Sequence, residues 1–197
     1  MTDSWNEYAE GWDDNPAVKH YANQAFVSLD ARFDMSGASW KSKRVLDFGC
    51  GTGLLAEKIA PHVHELIAVD TSQKMIAVLN GKNLGNVTAV HGDILDKDFR
   101  IDGDWFSNFD LIYASSVCSF LPDYEHAVPA LARLLRRGGH FVQWDWQASG
   151  GDGFGLSENQ ISAALNQAKL HDIRVGPAFT IDAEGESMPV LIGVGTL

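Results

Sequence analysis

The sequence predicts an α/β fold: a doubly wound, mainly parallel seven-stranded sheet with a C-terminal antiparallel hairpin and an N-terminal helical arm. Three observations carry that reading. Short apolar runs alternate with helical patterns over residues 44–144, an order that implies right-handed crossovers and helices on both faces of a sheet. A glycine loop, Gly49-Cys50-Gly51-Thr52-Gly53, joins the first run to the first helical pattern after it. The last quarter drops the alternation for two β-type runs around the turn residues Ala183-Glu184-Gly185-Glu186.

The elements follow in order. Residues 15–35 set Val18, Tyr21, Ala22, Ala25, Phe26, Leu29 and Phe33 at helical spacing, with Asn15 as N-cap and Pro16 at the first helical position. A polar link leads to a short buried strand at 44–48 and a helix at 54–60 that Pro61 stops. Strand and helix repeat at 66–69 and 72–79, and further strands are predicted at 87–91 and 109–113. A helix ending in Arg136, Arg137 and Gly138 precedes a fifth strand at 140–144, and Pro129 inside it predicts a kink or a division into two shorter helices. Ser157 with Gln160 forms a capping box for a helix reaching about Leu170. Residues 174–181 and 188–195 then make an antiparallel hairpin on the sheet edge.

With 197 residues and 45% hydrophobic content, the chain suits one domain, an arm over 1–40 preceding a core over 41–197. Fifteen Lys and Arg against 26 Asp and Glu leave a net charge of -11, which repels any partner bound through its phosphates. Nucleic acid and anionic membrane are therefore not expected partners. The first residues lack the basic and apolar regions of a secretory leader, and no apolar stretch is long enough to span a bilayer. Cys50 and Cys118 make no disulfide framework, so the expected setting is a reducing cytoplasm, with the chain a monomer or homodimer.

The glycine loop alone is a weak signal. A dinucleotide fingerprint wants a small residue where Leu54 stands, and Asp47 beside the loop would repel a pyrophosphate while favouring a ligand that carries ammonium and sulfonium groups. Asp70 closes the second strand about twenty residues after the loop, where a carboxylate can accept from both hydroxyls of a ribose. Its competing role is N-cap of the next helix, for which Thr71 and Ser72 are equally suited.

Val45 to Gly53, VLDFGCGTG, resembles position by position the hydrophobic strand, acid and G-x-G-x-G of the class I S-adenosylmethionine-dependent methyltransferases, small-molecule type. The resemblance implies a Rossmann-like methyltransferase fold and S-adenosyl-L-methionine as cofactor, with S-adenosyl-L-homocysteine as product. It puts Asp47 near the methionyl amino group, Gly49, Cys50, Gly51 and Gly53 along the ligand, Asp70 on the ribose with Thr71 and Met75 beside it, and Asp93 and Ile94 on the adenine. Bracing of the loop is the competing role for Asp47, and a surface turn the one for Asp93. FDLIYASSVCSFLPDYE, residues 109–125, resembles the family's fourth strand and the loop facing cofactor and acceptor, so Ala114 and Ser115 join the cofactor set. Enzymes of this family that act on base amino groups carry an acid or Asn, two prolines and an aromatic where this chain has Ala114-Ser115-Ser116-Val117. LLRRGGHFV, residues 134–142, resembles the link from helix to fifth strand.

Acceptor-side candidates are aromatic. Trp5, Tyr8 and Trp12 are spaced to share a helical face, as a lid or as core, while Trp144, Trp146 and Phe120 stand near carboxyl ends of strands, where such folds bind ligands. Methyl transfer needs chiefly alignment in a dry pocket; where a proton must leave, His126, Tyr124 or Asp145 are the candidate bases. His62 and His64 lack the partners of a metal site, and none is expected. The expected function is methyl transfer to a small-molecule acceptor; the alternatives are a protein methyltransferase, a non-catalytic cofactor-binding module and, last, a dehydrogenase.

Overall fold

Seven strands form a mixed, mostly parallel sheet with helices packed on it, as the alternation predicts. The computed structural model describes residues 4–99, 108–149, 154–183 and 185–197. Its contacts group the chain into two compact units, Met1–Arg100 and Ile101–Leu197.

In the first unit, α1 (Pro16–Phe33) is capped as expected: the Asn15 side chain accepts from the Ala17 amide at 2.9 Å, and Pro16 occupies the first turn. Tyr21, Ala22, Ala25 and Leu29 form its buried stripe, so the N-terminal helix packs into this unit. The residues before it are not one helix. Two short 3-10 turns, Ser4–Glu7 and Trp12–Asp14, are separated by Gly11 in the left-handed region at φ 74°. Trp5, Tyr8 and Trp12 therefore meet as a mutually packed triad, ring centroids 5.9–6.3 Å apart, instead of sharing a helical face.

The strand β1 (Arg44–Phe48) leads through the glycine loop to α2 (Leu54–Ile59), followed by β2 (Glu65–Asp70), α3 (Gln73–Gly81) and β3 (Val87–His91). Parallel pairing in the order β3-β2-β1 sets Asp47 opposite Ala68 and Asp70 opposite His91. The apolar runs of β1 and β2 are buried because helices cover them. Pro61 does not end the helical path at once; it sits in a 3-10 turn, Ala60–His62, at a position whose N–H has no helical partner.

The second unit runs β4 (Phe109–Ser115), a 3-10 turn Cys118–Phe120, α4 (Tyr124–Ala132), β5 (Leu135–Trp146), α5 (Glu158–Gln167), β6 (His171–Ala183) and β7 (Glu186–Thr196). The order is β4-β5-β7-β6, with β4 and β5 parallel and β7 antiparallel to both neighbours, so the predicted edge hairpin is present. Of its turn residues, Glu184 lies outside the described residues. Ser157 and Gln160 form the capping box, although α5 ends at Gln167 rather than near Leu170.

Two expectations fail around α4. The helix ends at Ala132, and Arg136, Arg137 and Gly138 already belong to β5. The glycine pair reads locally as a helix stop, but it serves a strand irregularity: the β4–β5 register shifts between the partners of Phe109 and Leu111, and Gly138 has φ 75°. Gly139 has no room for a side chain, since a Cβ there would lie 2.8 Å from the Phe109 carbonyl oxygen. Pro129 does not divide α4, which runs unbroken over nine residues and loses one helical N–H to it. Among the described residues no helix is long and apolar enough to cross a membrane.

Candidate functional site

The sequence expectations for ligand binding fall into two groups of residues, one in each unit. In the first, β1 delivers Asp47, almost fully buried at 2% exposure, to the entrance of the glycine loop. The loop is held by its own amides. Gly49 and Cys50 both donate to the Val69 carbonyl, at 2.8 and 3.0 Å, Gly53 donates to Cys50 at 2.9 Å, and Gly51 donates to Asp70 Oδ2 at 2.8 Å. A loop that binds phosphate must present unused N–H groups. Here four are committed within the fold, and what the loop offers is space.

That space is at Gly51. It is left-handed at φ 53°, and a Cβ built there would meet nothing within 4 Å, so a ligand can approach the bare backbone. Gly53, at φ 80°, has a packing role: a Cβ would stand 2.3 Å from Leu79 Cδ1. The two loop glycines that look alike in the motif thus do different work.

Asp70 braces the same loop. Its Oδ2 accepts from Gly51 and its Oδ1 from the Ser72 amide at 2.7 Å. Ser72, not Asp70, caps α3, accepting from Met75 N–H at 3.2 Å. The Thr71 amide adds to the two donors to Asp70, and the carboxylate keeps acceptor capacity for a further donor. Burial raises the Asp70 carboxyl above its ordinary value, opposed by the Ser72 and Gly51 amides and by His91. Cys50 lies in the field of both carboxylates: burial, then the charges of Asp47 and Asp70, push its thiol well above the ordinary range. A pocket edge with two carboxylates and spent amides suits a cationic ligand and opposes an anionic one. The residues present therefore fit a sulfonium carrying an amino acid and a nucleoside.

Around this core, Met75 is buried on α3 and Thr71 receives His91 Nε2 on its carbonyl at 3.1 Å. Asp93 Oδ1 accepts from the Leu95 amide at 2.9 Å, which is the turn role weighed for it, with Ile94 half-buried beside it. Two contributors were not foreseen. Asp13 accepts from Thr52 Oγ1 in the glycine loop and pairs with Lys82 at 2.8 Å. Asn6 Oδ1 accepts from Ser72 Oγ at 2.8 Å and from Lys74 N–H at 3.1 Å. No local signal marks either residue, because both contacts join segments 39 or more residues apart.

In the second unit, Ala114 is buried and Ser115 half-buried at the end of β4. Of the three candidate bases, His126 is exposed and pairs with Asp123 at 2.7 Å, a hydrogen bond that raises its pKa. Tyr124 is buried and donates to Gln143 Oε1 at 2.8 Å, and burial pushes its hydroxyl far above the ordinary value. Asp145 is fully buried, pushed up to about 6 by that burial against the hydrogen bonds it accepts. Trp144 is fully buried and belongs to the core, whereas Trp146 is half-buried and donates from Nε1 to Ser116 Oγ at 2.9 Å. Phe120 is exposed against Phe154, ring centroids 4.9 Å apart, a partner that the sequence reading missed.

The methyltransferase domain family model matches residues 46–143, from β1 to β5. A ubiquinone biosynthesis O-methyltransferase of Coxiella burnetii is 28% identical over 135 residues, 68% of this chain and 56% of that protein. The chain spans about half the length of the curated relatives it matches. Among solved structures, the putative methyltransferase bound to the Trm112 activator of Haloferax volcanii aligns with TM-score 0.72 and 16% identity over 98% of this chain and 97% of that one. The N-methyltransferase NodS of Bradyrhizobium japonicum, in complex with S-adenosyl-l-homocysteine, aligns with TM-score 0.67 and 22% identity over 93% and 89%. These two likenesses concern the fold.

Proposed function

Because this chain belongs to the class I S-adenosylmethionine-dependent methyltransferases, we propose that it transfers a methyl group from that cofactor to a small-molecule acceptor. The observation that carries the reading is the acidic, amide-spent edge at Asp47, Gly51 and Asp70. Asp47 would attract the amino group, Gly51 admit the ligand to the backbone, and Asp70 accept from the ribose on the acceptor capacity its backbone amides leave. Thr71 and Met75 would flank the ribose, Asp93 and Ile94 the adenine, and Gly49, Cys50 and Gly53 complete the set in this unit. When bound, the cofactor supplies a methyl group on a positively charged sulfur.

The protein's part is alignment and exclusion of water. His126 points its titrating ring at Asp123 in solvent, Tyr124 is held protonated, and Asp145 is enclosed by donors, so none of the three is placed to act as a base. An acceptor that is nucleophilic without such help fits these residues best. A small molecule is favoured by the likeness to an O-methyltransferase of ubiquinone biosynthesis and by the net charge of -11.

Calorimetric titration with S-adenosylhomocysteine, with NAD in parallel, tests the cofactor half of the proposal. Binding of S-adenosylhomocysteine alone is expected, followed by its release from S-adenosylmethionine in an acceptor screen. Binding of NAD alone, or of neither, would overturn it.

A further inference from the structure

The loop after β4 is fastened to β5 by three side chains. Trp146 Nε1 donates to Ser116 Oγ at 2.9 Å, while the Ser116 amide donates to the Trp144 carbonyl at 2.8 Å and holds this residue in the left-handed region at φ 58°. Asp145 Oδ1 accepts from both the Ser119 amide, at 2.9 Å, and the Ser119 hydroxyl, at 2.8 Å. Asp145 also receives the Cys118 thiol and, on Oδ2, Gln143 Nε2 at 3.2 Å; Gln143 Oε1 in turn accepts from Tyr124. The donors to Asp145 are neutral, and Leu191 is its register partner on β7.

A buried carboxylate without a cation is costly unless every lone pair is used. This one spends its acceptors on a loop rather than on solvent or a ligand. We propose that Asp145 is a positioning residue, a buried clamp that holds residues 116–120 in one conformation and so presets the acceptor side of the enzyme. The word acceptor rests on the methyltransferase reading; the clamp itself does not.

Tyr124 and Cys118 are the titratable groups beside Asp145, and both are held protonated by burial, so the clamp runs on the carboxylate alone at pH 7–8. Asp145→Asn keeps the volume but turns its amide NH2 toward the amide NH2 of Gln143, leaving two donors facing. The double variant Gln143→Glu with Asp145→Asn restores a donor–acceptor pair and the total charge.

Amide hydrogen exchange of the full chain at pH 7.5 decides the matter, with thermal melting and S-adenosylhomocysteine calorimetry on the same proteins. In Asp145→Asn and in Ser119→Ala, residues 116–121 should exchange faster by roughly ten- to a hundredfold, the weight of a hydrogen bond to a charged group. The melting temperature of Asp145→Asn should change little, the removed buried charge offsetting the two facing donors, and the double variant should recover most of the loop's protection. Unchanged exchange in that loop, or faster exchange spread evenly through a destabilised chain, would overturn the clamp. Wild-type protein that fails to bind S-adenosylhomocysteine would remove the methyltransferase reading and leave the exchange result to judge the clamp.

Discussion

Replacing Asp70 by Asn separates its brace on the loop from the ribose contact proposed for it. The carboxylate accepts two backbone amides, from Gly51 at 2.8 Å and Ser72 at 2.7 Å. Asn keeps one acceptor and presents an NH2 to the other amide. A hydrogen bond to a charged group contributes about 1.5–3 kcal/mol; Asp70 is only half-buried, so water can substitute and the lower end, about 1.5 kcal/mol, applies. For a chain of this size that is a fall in Tm of about 3–6 °C. The ribose contact adds its own loss, so the affinity for S-adenosylhomocysteine should drop roughly ten- to a hundredfold. Calorimetry with the 2′-deoxy analogue isolates it. In wild type, removing the hydroxyl should cost about tenfold or more; in Asp70→Asn it should cost clearly less, because one of the two acceptor oxygens and the charge have gone. An equal penalty in both proteins would refute the ribose assignment and leave Asp70 a brace only.

The two loop glycines should respond differently to the same change. Gly51→Ala meets open space and bears only backbone strain, on the order of 1 kcal/mol, so it should fold but bind S-adenosylhomocysteine poorly. Gly53→Ala drives a methyl into Leu79 and should lower Tm well beyond Gly51→Ala; equal melting of the two would contradict the packing assigned here. Asp145 makes a signed pH prediction. Its carboxyl rises from 3.8 to about 6 on folding, so the native state binds the proton more tightly. The stability that the neutral form contributes is complete below about pH 4 and lost as pH rises through about 6. Relative to Asp145→Asn, wild type should lose about 2 kcal/mol in urea unfolding between pH 4.5 and pH 7.5. A gap that stays constant over that window would show the carboxyl to be unperturbed.

What could be read from the sequence, and what could not, follows the reach of the interactions. The strand, loop and helix around Asp47, the caps at Asn15 and Ser157, and the hairpin of β6 and β7 are written within a few neighbouring residues, and they form as predicted. Arg136 to Gly138 misled because two glycines after a helix read as a stop, whereas pairing with β4 and the close passage of Gly139 over Phe109 make them strand. The side-chain commitments are longer in reach. Asp13 to Thr52, Asn6 to Ser72 and Ser119 to Asp145 span 39, 66 and 26 residues and leave no periodic trace. These commitments decide chemistry. Tyr124 and Asp145 qualify as bases by residue type, yet each is spent on a buried hydrogen bond, and the loop amides are spent on Val69, Cys50 and Asp70. A group already satisfied by the fold has little left to give a reaction, so the positions that stay open, the space at Gly51 and the remaining acceptor capacity of Asp70, are where binding should be sought.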